Sequence, residues 1–221
     1  MSGFLSASDQ LLVFESQFWN GEFSFLAGID EAGRGCLAGP VVAAAVVFTD
    51  HTRIPAGLND SKKLTEATRE ELRRLLLNEP SVKWGVGEVS AEEIDRSDIL
   101  RATWKAMALA AAQVIPPAQF ILVDGHPVHG LPLPSQNIVK GDARSASIAA
   151  ASILAKTHRD HLMTRAAEEF PGYGFEIHKG YGTELHLNAL KKLGVTPLHR
   201  KSFAPVHDIL FPPEFTQQAL F

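Results

Sequence analysis

The chain has 221 residues, 45% hydrophobic and 21% charged, with a net charge of −4, which suits one medium globular domain and excludes intrinsic disorder and fibrous repeats. The apolar run Val41 to Phe48 falls far short of the ~20 residues of a membrane span, and no basic residue precedes Arg34, so a cytoplasmic protein with no signal or transit peptide and no membrane partner is expected. A single cysteine, Cys36, excludes an internal disulfide and a thiolate zinc cluster.

Charge is unevenly spread. Residues 1–139 carry 11 basic and 17 acidic residues, residues 140–201 carry 10 basic and 6 acidic, and the later stretch adds His158, His161, His178, His186 and His199. A basic face that meets phosphates and an acidic excess that holds metal both fit this split, and so does ordinary solvated surface charge.

The sequence contains no internal repeat, low-complexity block or Gly/Ser linker, which favours a single domain. Phe23 to Asp30 and Pro40 to Phe48 read as strands, separated by the glycine-studded turn Ala32-Gly33-Arg34-Gly35, which brings backbone amides close to whatever it faces. Thr65 caps a helical segment that Leu64 opens and that stays charged through Arg74, and Val82 to Val89 is a third strand. Ile99 to Val114 is Ala-rich and helical, ended by Pro116-Pro117. Phe120 to Val123 is a continuous apolar run stopping at Asp124-Gly125, the pattern of a buried central strand with a carboxylate at its carboxyl end, where open α/β sheets place ligands. Ala143 to Phe170, without Gly or Pro, predicts a long helix whose small residues allow close packing on the sheet. An aromatic, Gly-rich loop to Thr183, a helix to about Leu193 and a basic turn through Lys201 follow.

Asp30 and Glu31 end the first strand, Asp124 ends the central one and Asp142 opens the long helix. Carboxylates brought together at one sheet edge either share protons or hold divalent cations, and oxygen-only ligands favour Mg²⁺ or Mn²⁺ over Zn²⁺. Two such ions about 4 Å apart activate a water and stabilise the leaving oxygen of a phosphodiester. Taken singly, Asp142 also reads as an N-cap and Asp124-Gly125 as a plain turn.

Five separated motifs settle which company these acids keep: Gly28-Ile29-Asp30-Glu31-Ala32-Gly33-Arg34-Gly35, Asp60-Ser61-Lys62-Lys63-Leu64, Leu122-Val123-Asp124-Gly125, Lys140-Gly141-Asp142 leading into Ser147 to Lys156, and His178-Lys179-Gly180-Tyr181-Gly182-Thr183. In this order, from about residue 26 to 207, the chain resembles bacterial ribonuclease HII. The resemblance implies an α/β, ribonuclease H-like fold with a mixed central sheet flanked by helices. It divides the chain into one catalytic domain over 1–207 (core about 22–170, C-terminal helical extension about 171–207) and a tail over 208–221. It further implies an endonuclease that cuts the RNA strand of RNA/DNA hybrids and incises 5′ of a single ribonucleotide in duplex DNA, leaving 3′-hydroxyl and 5′-phosphate ends, in DNA repair and replication. By the same resemblance Asp30, Glu31, Asp124 and Asp142 are the metal-binding catalytic acids holding two divalent ions, Mn²⁺ or Mg²⁺. Gly33, Arg34 and Gly35 correspond to the turn that reads the ribonucleotide's 2′-hydroxyl and adjacent phosphate, and Tyr181 to the tyrosine packing on the next sugar at an RNA-to-DNA junction.

A 2′-hydroxyl is donor and acceptor at once, which a close backbone turn can read, and an aromatic ring against a deoxyribose rewards its absence without reading a base. Lys62 and Lys63 read either as phosphate contacts or as a solvated helix start, as do Arg200 and Lys201. The histidines are expected on the surface or along a nucleic-acid groove. Cys36 stands where the family often has proline, which should loosen the turn, and Asp98 where asparagine is expected, a cap-level change. With 29 residues before Asp30, the additional amino-terminal domain of ribonuclease HIII is not expected. Gln217, Leu220 and Phe221 resemble the Gln-x-x-Leu-Phe peptide that docks on the sliding clamp, and the alternative there is a disordered end. A monomer is expected. Two other readings of the whole chain are a non-catalytic hybrid-binding module, indifferent to metal, and a ribonuclease HI-type enzyme that needs several consecutive ribonucleotides. Phosphate-loop and dinucleotide-binding glycine patterns are absent.

Overall fold

The two leading apolar runs become neighbours in the sheet. In the computed structural model, which describes residues 9–19 and 23–212, β1 (Leu26–Ala32) and β2 (Val41–Phe48) pair antiparallel with Asp30 opposite Ala44. β2 is buried at every position, which explains its unbroken Val/Ala composition: both of its faces are covered. β3 (Val82–Val89) pairs antiparallel with β2 on the outer side, β4 (Phe120–Asp124) lies parallel to β1, and β5 (Ser135–Ile138) lies parallel to β4. The sheet is therefore mixed, in the order β3-β2-β1-β4-β5.

Helices fill both faces. On one, α4 (Ile99–Ala112) sets Ala102, Ala106, Met107 and Ala110 against Ala27, Ile29, Ala43 and Ala45. On the other, α2 (Glu66–Asn78) and α5 (Ala146–Glu169) pack Leu72, Leu76, Ala150 and Ile153 on Ala44, Val46 and Phe48. The approach of α5 to β1 is so close that a Cβ on Gly28 would lie 2.2 Å from the Ser147 carbonyl carbon, so only glycine fits there.

Several elements differ from the sequence expectation. β1 begins at Leu26 rather than Phe23. α1 (Val13–Trp19), α3 (Ala91–Arg96, capped by Ser90) and β5 carry no apolar period that announces them. The Gly-rich loop contains the short α6 (Phe175–His178) before α7 (Glu184–Leu193), and α8 (Ala204–Leu210) continues past position 208, where the tail was expected to start. Asp98 caps α4 by accepting from the Arg101 amide at 2.8 Å, the cap-level change expected of it. The long helix starts at Ala146 rather than Ala143. Its cap is Ser145, whose hydroxyl accepts from the Ile148 amide, while Asp142 sits before it in the 3₁₀ turn Gly141–Ala143. Asp142 is thus free of capping duty. Gln217, Leu220 and Phe221 lie outside the described residues.

A buried carboxylate ties α1 to this turn. Glu15 Oε1 accepts from the hydroxyls of Ser145 (2.5 Å) and Ser147 (2.8 Å) and from the Ser147 amide (3.0 Å), placing negative charge at the positive end of α5. Burial nevertheless pushes the Glu15 carboxyl above its ordinary range.

Candidate active site

Because β1 and β4 are parallel neighbours, their carboxyl ends lie side by side, with Ile29 in register with Val123 and Asp30 and Asp124 following. The 3₁₀ turn adds Asp142, and the Gly141 amide donates to Asp124 Oδ1 at 2.6 Å, locking that turn to the strand end. Asp30, Asp124 and Asp142 each offer an oxygen within 4.8 Å of the other two. Asp30 and Asp142 are buried.

Three like charges in such confinement resist ionisation. Burial first, then the Glu31 and Asp124 charges, push Asp30 well above the usual carboxylate range, while burial, Asp124 and Asp60 push Asp142 up to about 6. An all-oxygen, convergent and electrostatically frustrated donor set is chemically suited to a hard divalent cation such as Mg²⁺ or Mn²⁺. Glu31 stands outside the trio: its Oε1 accepts from Arg34 Nη1 at 3.2 Å, and burial raises its carboxyl while Arg34 pulls it down. It lines the same cleft as Asp30 and borders Asp124.

Of the two lysines, Lys62 lines the cleft. Burial pulls its ammonium down, but Asp30, Asp60, Asp142 and Asp124 together outweigh that and raise it. Lys63 is exposed and does not line it. Asp60, which sequence reasoning passed over, holds this segment by accepting from the Lys62 amide at 2.9 Å and presses its charge on Asp142. Its place beside two lysines in Asp60-Ser61-Lys62-Lys63 was the available signal.

The Gly33–Gly35 turn is built as its glycines require. Gly33 has φ +92, and a Cβ there would strike the Arg159 side chain. The amides of Arg34 and Gly35 have no acceptor among the described residues, which leaves them free for a ligand. The Cys36 amide, which a proline would lack, donates to the Gly33 carbonyl at 3.4 Å, so cysteine closes the turn rather than loosening it. Tyr181 is exposed and shares the cleft with Asp30, Glu31, Gly33, Arg34 and Gly35. Lys156, 5.8 Å from its ring centroid, is a second residue that sequence reasoning missed.

Arg200 is neither a phosphate contact nor a solvated residue. It is fully buried, donating to the carbonyls of Gly33 (2.7 Å), Arg34 (2.8 Å) and Gly39 (2.9 and 3.1 Å). The buried Arg159 likewise donates to the carbonyls of Pro40, Ala38 and Lys179. Neither guanidinium has an ion-pair partner among the described residues. Together they fasten the turn to the loop bearing Tyr181. Lys201 is exposed, its amide held by Asp95.

The histidine expectation is corrected in part. His158 and His161 are surface residues bonded to Glu88 and Glu70, but His178, His186 and His199 are buried against Tyr173 and Phe175. Burial, then the neighbouring His186, lowers His199 from 6.5 to about 4. A group held neutral in the fold binds its proton more readily when unfolded, so its contribution is complete above pH 6.5 and declines as pH falls toward 4. We expect wild-type stability to drop by about 3 kcal/mol across that window from this group alone. Denaturant midpoints between pH 7 and 4.5 check this, with His199→Gln flattening the acid limb.

Proteins of known sequence and structure resemble this chain. Residues 27–206 match the family model described as Ribonuclease HII. The ribonuclease HII of Chlorobaculum tepidum is 56% identical over 171 residues, covering 75% of this chain and 82% of that protein. That of Rhodospirillum rubrum is 54% identical over 154 residues, covering 68% and 71%. Among solved structures, ribonuclease H2 of Pyrococcus horikoshii has a TM-score of 0.69 at 25% identity, covering 84% of this chain and 96% of that one. The RNase HII of Archaeoglobus fulgidus, solved in complex with PCNA, has a TM-score of 0.69 at 28% identity, over 81% and 95%. The mixed sheet, the acid trio at its parallel strand ends and these matches together place the chain in the ribonuclease HII family, as an endoribonuclease acting on RNA/DNA hybrids.

Proposed function

We propose that this ribonuclease incises 5′ of a single ribonucleotide embedded in duplex DNA by two-metal-ion catalysis, leaving 3′-hydroxyl and 5′-phosphate ends, and so serves ribonucleotide removal in DNA repair and replication. The observation that supports this reading is the cleft itself, in which the open amides of the Gly33–Gly35 turn and Tyr181 share a lining with Asp30, the member of the acid trio that faces it. Asp30, Asp124 and Asp142, with Glu31 released from Arg34, are the residues that would hold the ions. When bound, two divalent ions supply activation of the attacking water and neutralisation of the leaving 3′-oxygen.

The chain's own residues do the rest. The amides of Arg34 and Gly35 meet the 2′-hydroxyl and its phosphate, Lys62 sets its charge against the backbone, and Tyr181 packs on the following deoxyribose. That division of labour needs one ribonucleotide, not a run of them. It is tested by incubating end-labelled duplexes carrying one ribonucleotide, a long hybrid tract or DNA only, with Mn²⁺, with Mg²⁺ and with chelator. Metal-dependent cutting of the first substrate supports the reading. Cutting of the long hybrid alone would favour a consecutive-ribonucleotide enzyme, and cutting of neither would favour a binding module.

We further propose that Gln217, Leu220 and Phe221 dock on a sliding clamp, which the PCNA-bound state of the Archaeoglobus fulgidus relative supports. Deleting residues 217–221 then abolishes clamp capture without altering cleavage of free duplex. Capture unchanged by the deletion would dismiss the idea.

A further inference from the structure

His199, His186 and the backbone of the Tyr181 loop form a hydrogen-bond chain with one solution, and a third imidazole, His178, stacks beside it. The Thr196 amide donates to His199 Nδ1 at 3.0 Å, so that nitrogen carries no proton and the neutral ring bears its proton on Nε2. His199 Nε2 faces His186 Nε2 at 3.1 Å, which must then accept, leaving the His186 proton on Nδ1, 2.9 Å from the Tyr181 carbonyl. Beside it, His178 Nδ1 accepts from the Gly180 amide at 3.1 Å and its Nε2 donates to the Tyr173 carbonyl at 2.8 Å. The His178 and His186 rings stack at 4.3 Å, with Phe175 edge-on to both. The His199 backbone also bridges to Ala38, which follows the Gly33–Gly35 turn.

We propose that His186 and His199 are positioning residues for Tyr181: their chain, anchored on the Thr196 amide, fixes the Tyr181 carbonyl and so sets where its ring stands in the cleft, and with it the preference for a ribonucleotide–deoxyribonucleotide junction over a long hybrid. The proposal rests on the junction-reading role given to Tyr181 above. The chain is closed only while His186 and His199 are neutral, since an added proton sets N–H against N–H at the Thr196 amide or between the two Nε2 atoms. The charged groups on the surrounding elements are engaged elsewhere. Arg159 and Arg200 hold carbonyls, Lys179 bonds Thr164 and the Glu176 carbonyl, and Glu176 and Glu184 are exposed. Among the described residues no carboxylate bonds any of the three rings. Burial lowers both His186 and His199, in keeping with neutral rings.

Asparagine and glutamine separate the two ends of His186. Asparagine places its amide where Nδ1 stands and keeps the donor to the Tyr181 carbonyl, whereas glutamine reaches toward His199 and loses that donor. The measurement is the ratio of kcat/KM on a single-ribonucleotide duplex to that on a long hybrid, at pH 8, for wild type, His186→Asn, His186→Gln and Tyr181→Ala. We expect His186→Asn to keep the ratio and His186→Gln to lower it about tenfold, as Tyr181→Ala does. Equal ratios for the two His186 variants, with Tyr181→Ala still lowered, would overturn the proposal alone. An unchanged ratio in Tyr181→Ala would overturn the junction reading beneath it. If either His186 variant fails to fold, His199 gives the comparison in reverse: glutamine keeps the donor to His186 and the ratio, and asparagine loses both.

Discussion

Replacing Asp124 or Asp142 by asparagine lowers cleavage by about three orders of magnitude or more while binding of an RNA/DNA hybrid stays within about twofold. The substitutions change charge and little else. Asparagine at 124 still presents an oxygen to the Gly141 amide, so the turn that carries Asp142 remains docked. What disappears is one of three negative charges converging within 4.8 Å, the feature that suits this site to a divalent cation. Burial, and then this repulsion, lifts Asp142 to about 6 and Asp30 well above the usual carboxylate range, so the metal-free variants should melt no lower than the parent, and Asp142→Asn somewhat higher. Single-turnover cleavage, filter binding and thermal melts check the three statements. Parental turnover by both variants would remove the acids from the chemistry.

Arg200→Lys is the second large effect, although it preserves charge. Arg200 makes four hydrogen bonds to the carbonyls of Gly33, Arg34 and Gly39 with no solvent contact, a fork that a lysine's single ammonium cannot reproduce. Buried carbonyls left without donors and a buried ammonium short of acceptors together cost about 4 kcal/mol. Because those carbonyls are what hold the Gly33–Gly35 turn against its own core, the variant is also expected to lose the proposed single-ribonucleotide incision even where it is folded. Urea midpoints and cleavage at low temperature separate the two losses. A lysine variant as stable as the parent would show that the turn keeps its shape without the fork.

The parts of the molecule that were legible in the sequence are those where local chemistry and tertiary environment agree. The covered strand β2 is apolar throughout, and the interior strand β4 is apolar up to its terminal Asp124, because both their faces are packed, and Thr65 and Asp98 cap the helices they precede. β5 was not legible because Ser135, Gln136 and Asn137 are exposed and only its parallel pairing with β4 makes it a strand. Asp30 and Asp124 could be placed at strand ends, yet that they meet depends on the parallel register of β1 and β4. Asp142 was misread as the head of the long helix because Ser145, three residues on, competes for the cap and wins. Arg159, Arg200, His178, His186 and His199 were the least legible. Charged and imidazole side chains usually face water, and nothing local reveals that backbone carbonyls and other rings satisfy these inside the fold. Roles for Gly33, Arg34, Gly35 and Tyr181 came from resemblance, and their geometry is what makes those roles physically sensible.

The most direct test of the account is the position and chemistry of the cut on a duplex containing one ribonucleotide. Metal-assisted attack by water at the acid trio predicts incision on the 5′ side of the ribonucleotide, with a 3′-hydroxyl and a 5′-phosphate, in wild type and in neither Asp124→Asn nor Asp142→Asn. A cut on the 3′ side bearing a cyclic 2′,3′-phosphate, or one that persists in both variants, would mean that the ribose hydroxyl rather than water attacks and that these carboxylates do not carry the reaction.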